Sequence, residues 1–185
     1  MNTYIRAFRK LVHPRSQEAP IDWGAVYTQA LPKVYNFFRY RLTDITLAED
    51  LTSITFERAW RGRHRFQPGR VEPVTWLLGI ARNVWREHLR EQHRARPLSL
   101  KTMEHLPATG DPELQLQAQD ERERLRVLLS HLPEREQTLI ALKYGAGLTN
   151  RQIASMTGLS ESNVGTILHR TVKKLRNQWE DEFYE

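Results

Sequence analysis

The stretch from Leu148 to Trp179, LTNRQIASMTGLSESNVGTILHRTVKKLRNQW, constrains the fold more than any other. Its order of capping, small, turn and apolar residues is what two helices joined by a tight turn require. Thr149 is placed to cap a first helix, Gln152 three residues on completes a capping box, and Ile153 and Ala154 then face inward. Ala154 is small where two helices must approach closely. Gly158 permits a left-handed turn, Leu159 fills the gap between the helices, and Ser160 caps the second one. Val164, Ile167, Leu168, Thr171 and Leu175 recur at helical spacing and form its buried face. The pattern is that of a helix-turn-helix.

Opposite that face run Ser162, Thr166, His169 and Lys173, at i, i+4, i+7 and i+11, flanked by Asn163 and Arg170. All six side chains form hydrogen bonds. A recognition helix in a major groove presents its N-terminal residues to base edges and its later basic residues to phosphates. By that rule Ser162, Asn163 and Thr166 are candidate base readers, and Arg170, Lys173, Lys174 and Arg176 are candidate phosphate contacts. The competing explanation is a solvated basic helix end that complements its own dipole. Agreement of the turn and the cap favours DNA.

Charge points the same way. The 185-residue chain carries a formal net charge of +6 and a sequence pI near 9.8, which favours an anionic partner. With no cysteine it has neither disulfides nor thiolate metal sites. It shows no apolar run of membrane-spanning length and no signal-peptide core at its start, so a soluble, cytoplasmic protein is expected. Catalysis finds little support. His13, His64, His88, His93, His105, His131 and His169 form no HxxxH pair, and there is no glycine-rich phosphate loop. Glu49, Asp50 and Glu57 have a spacing better explained by an exposed helix face than by a nuclease metal site. No metal, cofactor or small-molecule substrate is expected.

Pro107, Gly110 and Pro112 break the acidic segment from Glu104 to Glu123, and together with Pro97 they divide the chain. The expected organisation is all-α: an N-terminal extension (1–21), a first helical domain of three to four helices (22–96), a flexible linker (97–119) and the helix-turn-helix domain (120–181). The first helix is expected from about Asp22 to Leu42, with Pro32 as a candidate kink. A second runs from about Thr46 to Phe66. Its inward face is Ala48, Leu51, Thr55, Phe56 and Ala59, leaving Asp50, Ser53, Ile54 and Glu57 outward. Ile54 between two acids is a candidate anchor for a protein partner. A third begins near Pro73 and buries Trp76, Leu77, Ile80, Ala81 and Val84. Arg82, Arg86 and Arg90 form an arginine ladder on its outer side, with Asn83 beside them and Glu87 and Glu91 placed to offset the charge by helical pairing. Such a ladder beside a glycine-containing loop suits unpaired DNA as well as solvent. Trp60, Trp76 and Trp85 are expected as packing residues rather than stacking platforms. Before Trp23, Tyr4, Ile5, Phe8, Leu11 and Val12 alternate with Arg6, Arg9 and Lys10 as in a short basic amphipathic helix, against the default of a frayed terminus.

Three motifs in order, AEDLTSITFERAW (48–60), VTWLLGIARNVWREHLR (74–90) and LPEREQTLIALKYGAGLTNRQIASMTGLSESNVGTILHR (132–170), resemble the extracytoplasmic-function (ECF) group of sigma factors. The resemblance covers the chain from Trp23 to Trp179. It implies a bacterial RNA polymerase initiation subunit with a promoter-melting domain and a minus-35-binding domain. It places the contact with core polymerase on Asp50, Ser53, Ile54 and Glu57, although the family more often has glutamine at 53 and an acid at 54. The loop from Phe66 to Glu72, with Arg82, Asn83, Arg86 and Arg90, resembles the part that captures the minus-10 strand, where Asn83 would help hold a flipped base. Ser162, Asn163, Thr166, His169, Arg170 and Lys173 fall on the minus-35 surface. Where many relatives carry Lys-Ser-Arg this chain has Gly165, Thr166 and Ile167, so fewer phosphate contacts are expected, and Gly165 costs about 1 kcal/mol of helix propensity relative to alanine. The resemblance implies core RNA polymerase, promoter DNA and an anti-sigma factor as partners. Two weak readers joined by a linker gain specificity from spacing, and capture of unpaired bases drives melting by binding energy alone. The alternative is a stand-alone helix-turn-helix regulator, which would be a dimer on a palindromic site.

Overall fold

The structure, a computed structural model, describes residues 21–95, 121 and 123–181. The amphipathic stretch from Tyr4 to Val12 and the linker 97–119 lie outside the described residues. Among the described residues every regular element is helical.

The first unit has three long helices, α1 (Trp23–Arg39), α2 (Ile45–Gly62) and α3 (Pro73–Ala95). Asp22 starts α1 by accepting from the backbone N–H groups of Gly24 and Ala25 at 2.9 and 3.1 Å, and Asp44 starts α2 by accepting from Leu47 at 2.9 Å. Helix α1 continues through the exposed Pro32 to Arg39. Helix α2 ends earlier than its pattern predicts, passing into a 3-10 turn at Arg63–Arg65. The cause is Phe66. Its ring turns inward to meet Trp23 and Trp76 at centroid distances of 5.7 and 5.4 Å, and an extended backbone at Phe66 is what brings it there. Ala30, Val34, Phe37 and Phe38 of α1 pack with Ala48, Leu51 and Ala59 of α2 and Leu77, Leu78 and Ala81 of α3. The buried hydroxyls of Thr52 and Thr55 donate to the carbonyls of Ala48 and Leu51 at 2.7 Å, so neither is left unpaired in the core.

The second unit contains α4 (123–130), α5 (Glu134–Ile140), α6 (Asn150–Thr157) and α7 (Glu161–Asp181). Gln137 fixes the turn between α4 and α5, its amide donating to the carbonyls of Ser130 and Leu132 at 3.0 and 2.8 Å. Helix α5 widens into a π turn at Ala141–Gly145.

That π turn joins the two units. Leu139, Leu142 and Ala146 belong to the same buried cluster as Phe37 and Phe38, so one apolar core runs across the boundary. Gly145 is a point of close approach: a Cβ there would stand 2.9 Å from the Asn36 carbonyl oxygen and 3.0 Å from the Tyr40 ring. A second tie is the Arg82 guanidinium on α3, which donates to the carbonyl of Met156 on α6.

Because the Asn36 carbonyl belongs to the backbone of α1 and cannot yield as a flexible side chain can, Gly145→Ala should force the π turn away from α1. The expected destabilisation is about 1–3 kcal/mol, typical of overpacking at a close approach. Thermal unfolding should show a lowered midpoint and small-angle scattering a larger radius of gyration; an unchanged radius with an unchanged midpoint would show that the two units do not meet at this point.

Candidate nucleic-acid interface

The helix-turn-helix is assembled by the bonds its residue order predicts. Thr149 Oγ1 accepts from the Gln152 N–H at 3.2 Å while Gln152 Oε1 accepts from the Thr149 N–H at 2.9 Å, a complete capping box on α6. Gly158 ends α6 at a φ of 74°, with its N–H on the Ala154 carbonyl at 2.9 Å. Ser160 Oγ then accepts from the Asn163 N–H at 3.2 Å and opens α7. Val164, Leu168 and Thr171 are buried, and Ile167 and Leu175 are half-buried, which fixes the rotation of α7.

With that rotation set, Ser162, Asn163, Thr166, His169, Arg170 and Lys173 are all exposed. The Thr166 hydroxyl donates to the Ser162 carbonyl at 3.0 Å, so towards a base edge it serves as an acceptor. Gly165 lies beside α6, where a Cβ would meet Asn150 Nδ2 at 3.4 Å, an ordinary contact. Its lack of a side chain is therefore not demanded by packing within the unit.

On α3 the predicted ladder divides. Asn83, Arg86 and Arg90 are exposed, whereas Arg82 is half-buried and commits a donor to Met156. Desolvation is the main cause lowering the Arg82 pKa, and the neighbouring Arg86 charge adds to it. Glu87 pairs with Arg58 across the α2–α3 contact rather than along the ladder. In the loop before α3, Gln67, Pro68, Gly69 and Arg70 are exposed; Gly69 has a φ of 74°, and Arg70 Nη1 donates to Gln67 Oε1 at 3.0 Å.

On α2, Asp50, Ser53 and Glu57 are exposed. Ile54 is not an outward anchor: it is half-buried and packs on the core, because α2 turns the edge of its apolar face towards the bundle. Trp60 departs from expectation in the other direction. It is 57% exposed, with the Arg63 guanidinium 4.0 Å above its ring, and together with Tyr27, Phe56 and Trp23 it borders an apolar groove. The helical wheel accounts for this: Trp60 lies seven residues after Ser53 and three after Glu57, on the outward side of α2, and residue type alone suggests packing. Trp85 is buried and Trp76 half-buried. Among the described residues no three His, Asp or Glu side chains converge as a metal site, and no helix is long and apolar enough to cross a membrane.

Two family models match the chain: Sigma-70 region 2 over residues 26–95 and Sigma-70, region 4 over residues 122–175. The chain is 31% identical over 154 residues to the ECF RNA polymerase sigma factor SigX of Bacillus subtilis, covering 80% of this chain and 78% of that protein. It is 35% identical over 142 residues to a probable RNA polymerase sigma factor, RfaY, of Xanthomonas campestris pv. campestris; the match covers 73% of this chain but spans 34% of that protein. Its fold resembles the sigma factor RpoE of Bartonella quintana, solved in complex with the anti-sigma factor NepR, with a TM-score of 0.68, 21% identity, and coverage of 86% of this chain and 97% of that one. Both halves, in the same order and with the same helical architecture, place the chain in one family: it belongs to the ECF sigma factors.

Proposed function

We propose that residues 22–96 bind core RNA polymerase and capture the minus-10 strand, and that residues 120–181 read the minus-35 element. What carries this is the α7 surface, where six hydrogen-bonding side chains stand exposed in one stripe on a helix-turn-helix whose caps and turn are all formed. Ser162, Asn163 and Thr166 lie at the N-terminal end, as base readers should, and His169, Arg170 and Lys173 follow along the helix. In the first unit the polar contact with polymerase falls to Asp50, Ser53 and Glu57, with Ile54 supporting that face from beneath. Asn83, Arg86 and Arg90 are ready for unpaired DNA, while Arg82 becomes available when the bond to Met156 breaks. Promoter opening in this reading needs binding energy and no covalent chemistry, so the chain acts as an initiation factor and not as an enzyme. Its place is the cytoplasm, with polymerase and chromosome.

The similarity to a sigma factor held by NepR supports control by an anti-sigma factor. The packing of α5 against α1 gives such an inhibitor a physical target, since stabilising the closed arrangement keeps Arg82 on Met156 and away from DNA. A stand-alone regulator is disfavoured because a single chain of this family carries two unlike DNA-binding units, which suits an asymmetric promoter rather than a palindrome.

Run-off transcription with purified bacterial core polymerase on genomic promoter fragments tests the reading: discrete starts should appear only when the protein is added. Failure to stimulate, with tight binding of the protein alone to palindromic DNA, would overturn it. Replacing Arg170 or Lys173 with alanine should weaken promoter binding by the holoenzyme and reduce the slope of log affinity against log salt by about 1 for each phosphate left unneutralised. Asp50→Arg should act earlier, weakening association with core polymerase at least about tenfold by charge reversal at an exposed contact. Co-purification of core subunits measures this, and circular dichroism should remain that of the parent protein.

A further inference from the structure

Between the two units lies a cavity of about 480 Å³ lined by Arg41, Arg82, Arg86 and Trp85 from the first and by Glu134 and Arg135 from the second. Four arginines and a single carboxylate-bearing side chain line it. Arg41 is the most constrained of them. All three of its side-chain nitrogens are shielded from solvent and none has a hydrogen-bond partner; the buried indole N–H of Trp85 is likewise unpaired. The Phe37 and Trp85 rings lie 4.4 and 5.0 Å from Arg41 Cζ and stabilise the cation from its faces, but they satisfy none of its in-plane donors. The nearby threonines Thr138 and Thr157 donate to the carbonyls of Glu134 and Ile153 at 2.7 Å, and neither accepts from Arg41. Desolvation pushes the Arg41 pKa down to about 9, with Glu134 opposing and Arg82 and Arg86 reinforcing the shift, so the side chain remains a cation at neutral pH.

A buried cation with unpaired donors beside three more cations is costly unless an acceptor enters the site. The orphaned groups here are donors only, and the local charge is positive. A guanidinium cluster of this kind matches the tetrahedral oxygens of phosphate, with each arginine able to present two parallel N–H groups. We propose that this cavity is a binding site for a phosphate-bearing small molecule, inorganic or esterified, which bridges Arg41 and Arg86 of the first unit to Arg135 of the second. The volume admits more than a single phosphate group, and the apolar wall from Leu139 and Leu159 offers space for an attached organic moiety. Such a ligand holds the two units together. On the reading in which Arg82 and Arg86 capture the minus-10 strand, it also competes with promoter DNA for the same side chains.

The test uses the full chain without DNA or polymerase, so its outcome is independent of that reading. Inorganic pyrophosphate and a nucleoside diphosphate are titrated by calorimetry against chloride at matched ionic strength. Saturable binding of one equivalent is expected. Tighter binding of pyrophosphate identifies an inorganic ligand, and tighter binding of the nucleotide identifies an esterified one. Arg135→Gln, at an exposed position, should weaken binding at least about tenfold, as removal of a charge-assisted bond does. Arg41→Met should abolish it; if that variant does not fold, Arg86→Gln serves in its place. Arg65→Gln, an exposed cation outside the cavity, should bind as the parent does. Absence of saturable binding, or equal weakening by Arg65→Gln and Arg135→Gln, would overturn the proposal, since the response would then be diffuse attraction to a basic surface.

Discussion

The close approach of the π turn at Ala141–Gly145 to α1 sets how the two units sit against each other. Glycine at 145 lets a backbone carbonyl at Asn36 sit where any side chain would collide, and this closeness lets Leu139 and Leu142 enter the cluster formed by Phe37 and Phe38. Two units that each bury a modest core thereby share one. The advantage is apolar area removed from water, at roughly 25 cal/mol per Å². The disadvantage is that polar groups at the edge of the shared surface are covered too, and Arg41 and Arg82 are among them.

Those two arginines illustrate how a joint can be both stable and reversible. Arg82 exchanges water for a backbone carbonyl, a bond that is charge-assisted yet replaceable by a phosphate oxygen. Arg41 keeps cation–π contact with Phe37 and Trp85 but leaves its donors unpaired, so the closed form carries an unrelieved electrostatic cost. A core of leucines alone would lock the units together. Inclusion of buried guanidinium groups lowers the stability of the closed form and makes it responsive to whatever supplies or removes acceptors.

Local structure was legible in the sequence wherever it depended on neighbours within a turn or two. The Thr149–Gln152 box, the left-handed Gly158, the Ser160 cap and the exposed stripe on α7 are short-range features, and each forms as its residue order predicts. The expectation of an all-α chain also rests on such periodicity. What failed depended on distant partners. Ile54 reads as outward on a helical wheel, but the bundle reaches round to cover it. Trp60 is a different case: its type reads as a packing residue, but it shares the outward face of Ser53 and Glu57 and stays exposed. Glu87 finds Arg58 on another helix, and Arg82 finds Met156, 74 residues away in sequence. Arg41 and Arg135 carry no local signal that marks them as neighbours of the ladder, because the fold alone brings them to it.

The same distinction explains how the two surfaces proposed to face DNA differ in readiness. The α7 stripe is set by short-range caps and by packing within its own unit, so its exposure does not depend on whether the units are together or apart. The α3 face is different, because Arg82 lies at the joint and its freedom is tied to the contact between α3 and α6. On the proposed function, the contact between α3 and α6 withdraws part of the melting surface while leaving the groove-reading surface in place. On the same proposal, any equilibrium between this closed form and an open one would act on the second step of promoter use more strongly than on the first, and a ligand with differential affinity for the two forms would shift it by no more than that difference. A DNA element bound only by α7 has no such preference. Coupling between recognition and opening must then come from the partner that holds both units apart at the spacing of the promoter, and core polymerase is the partner that fits that role.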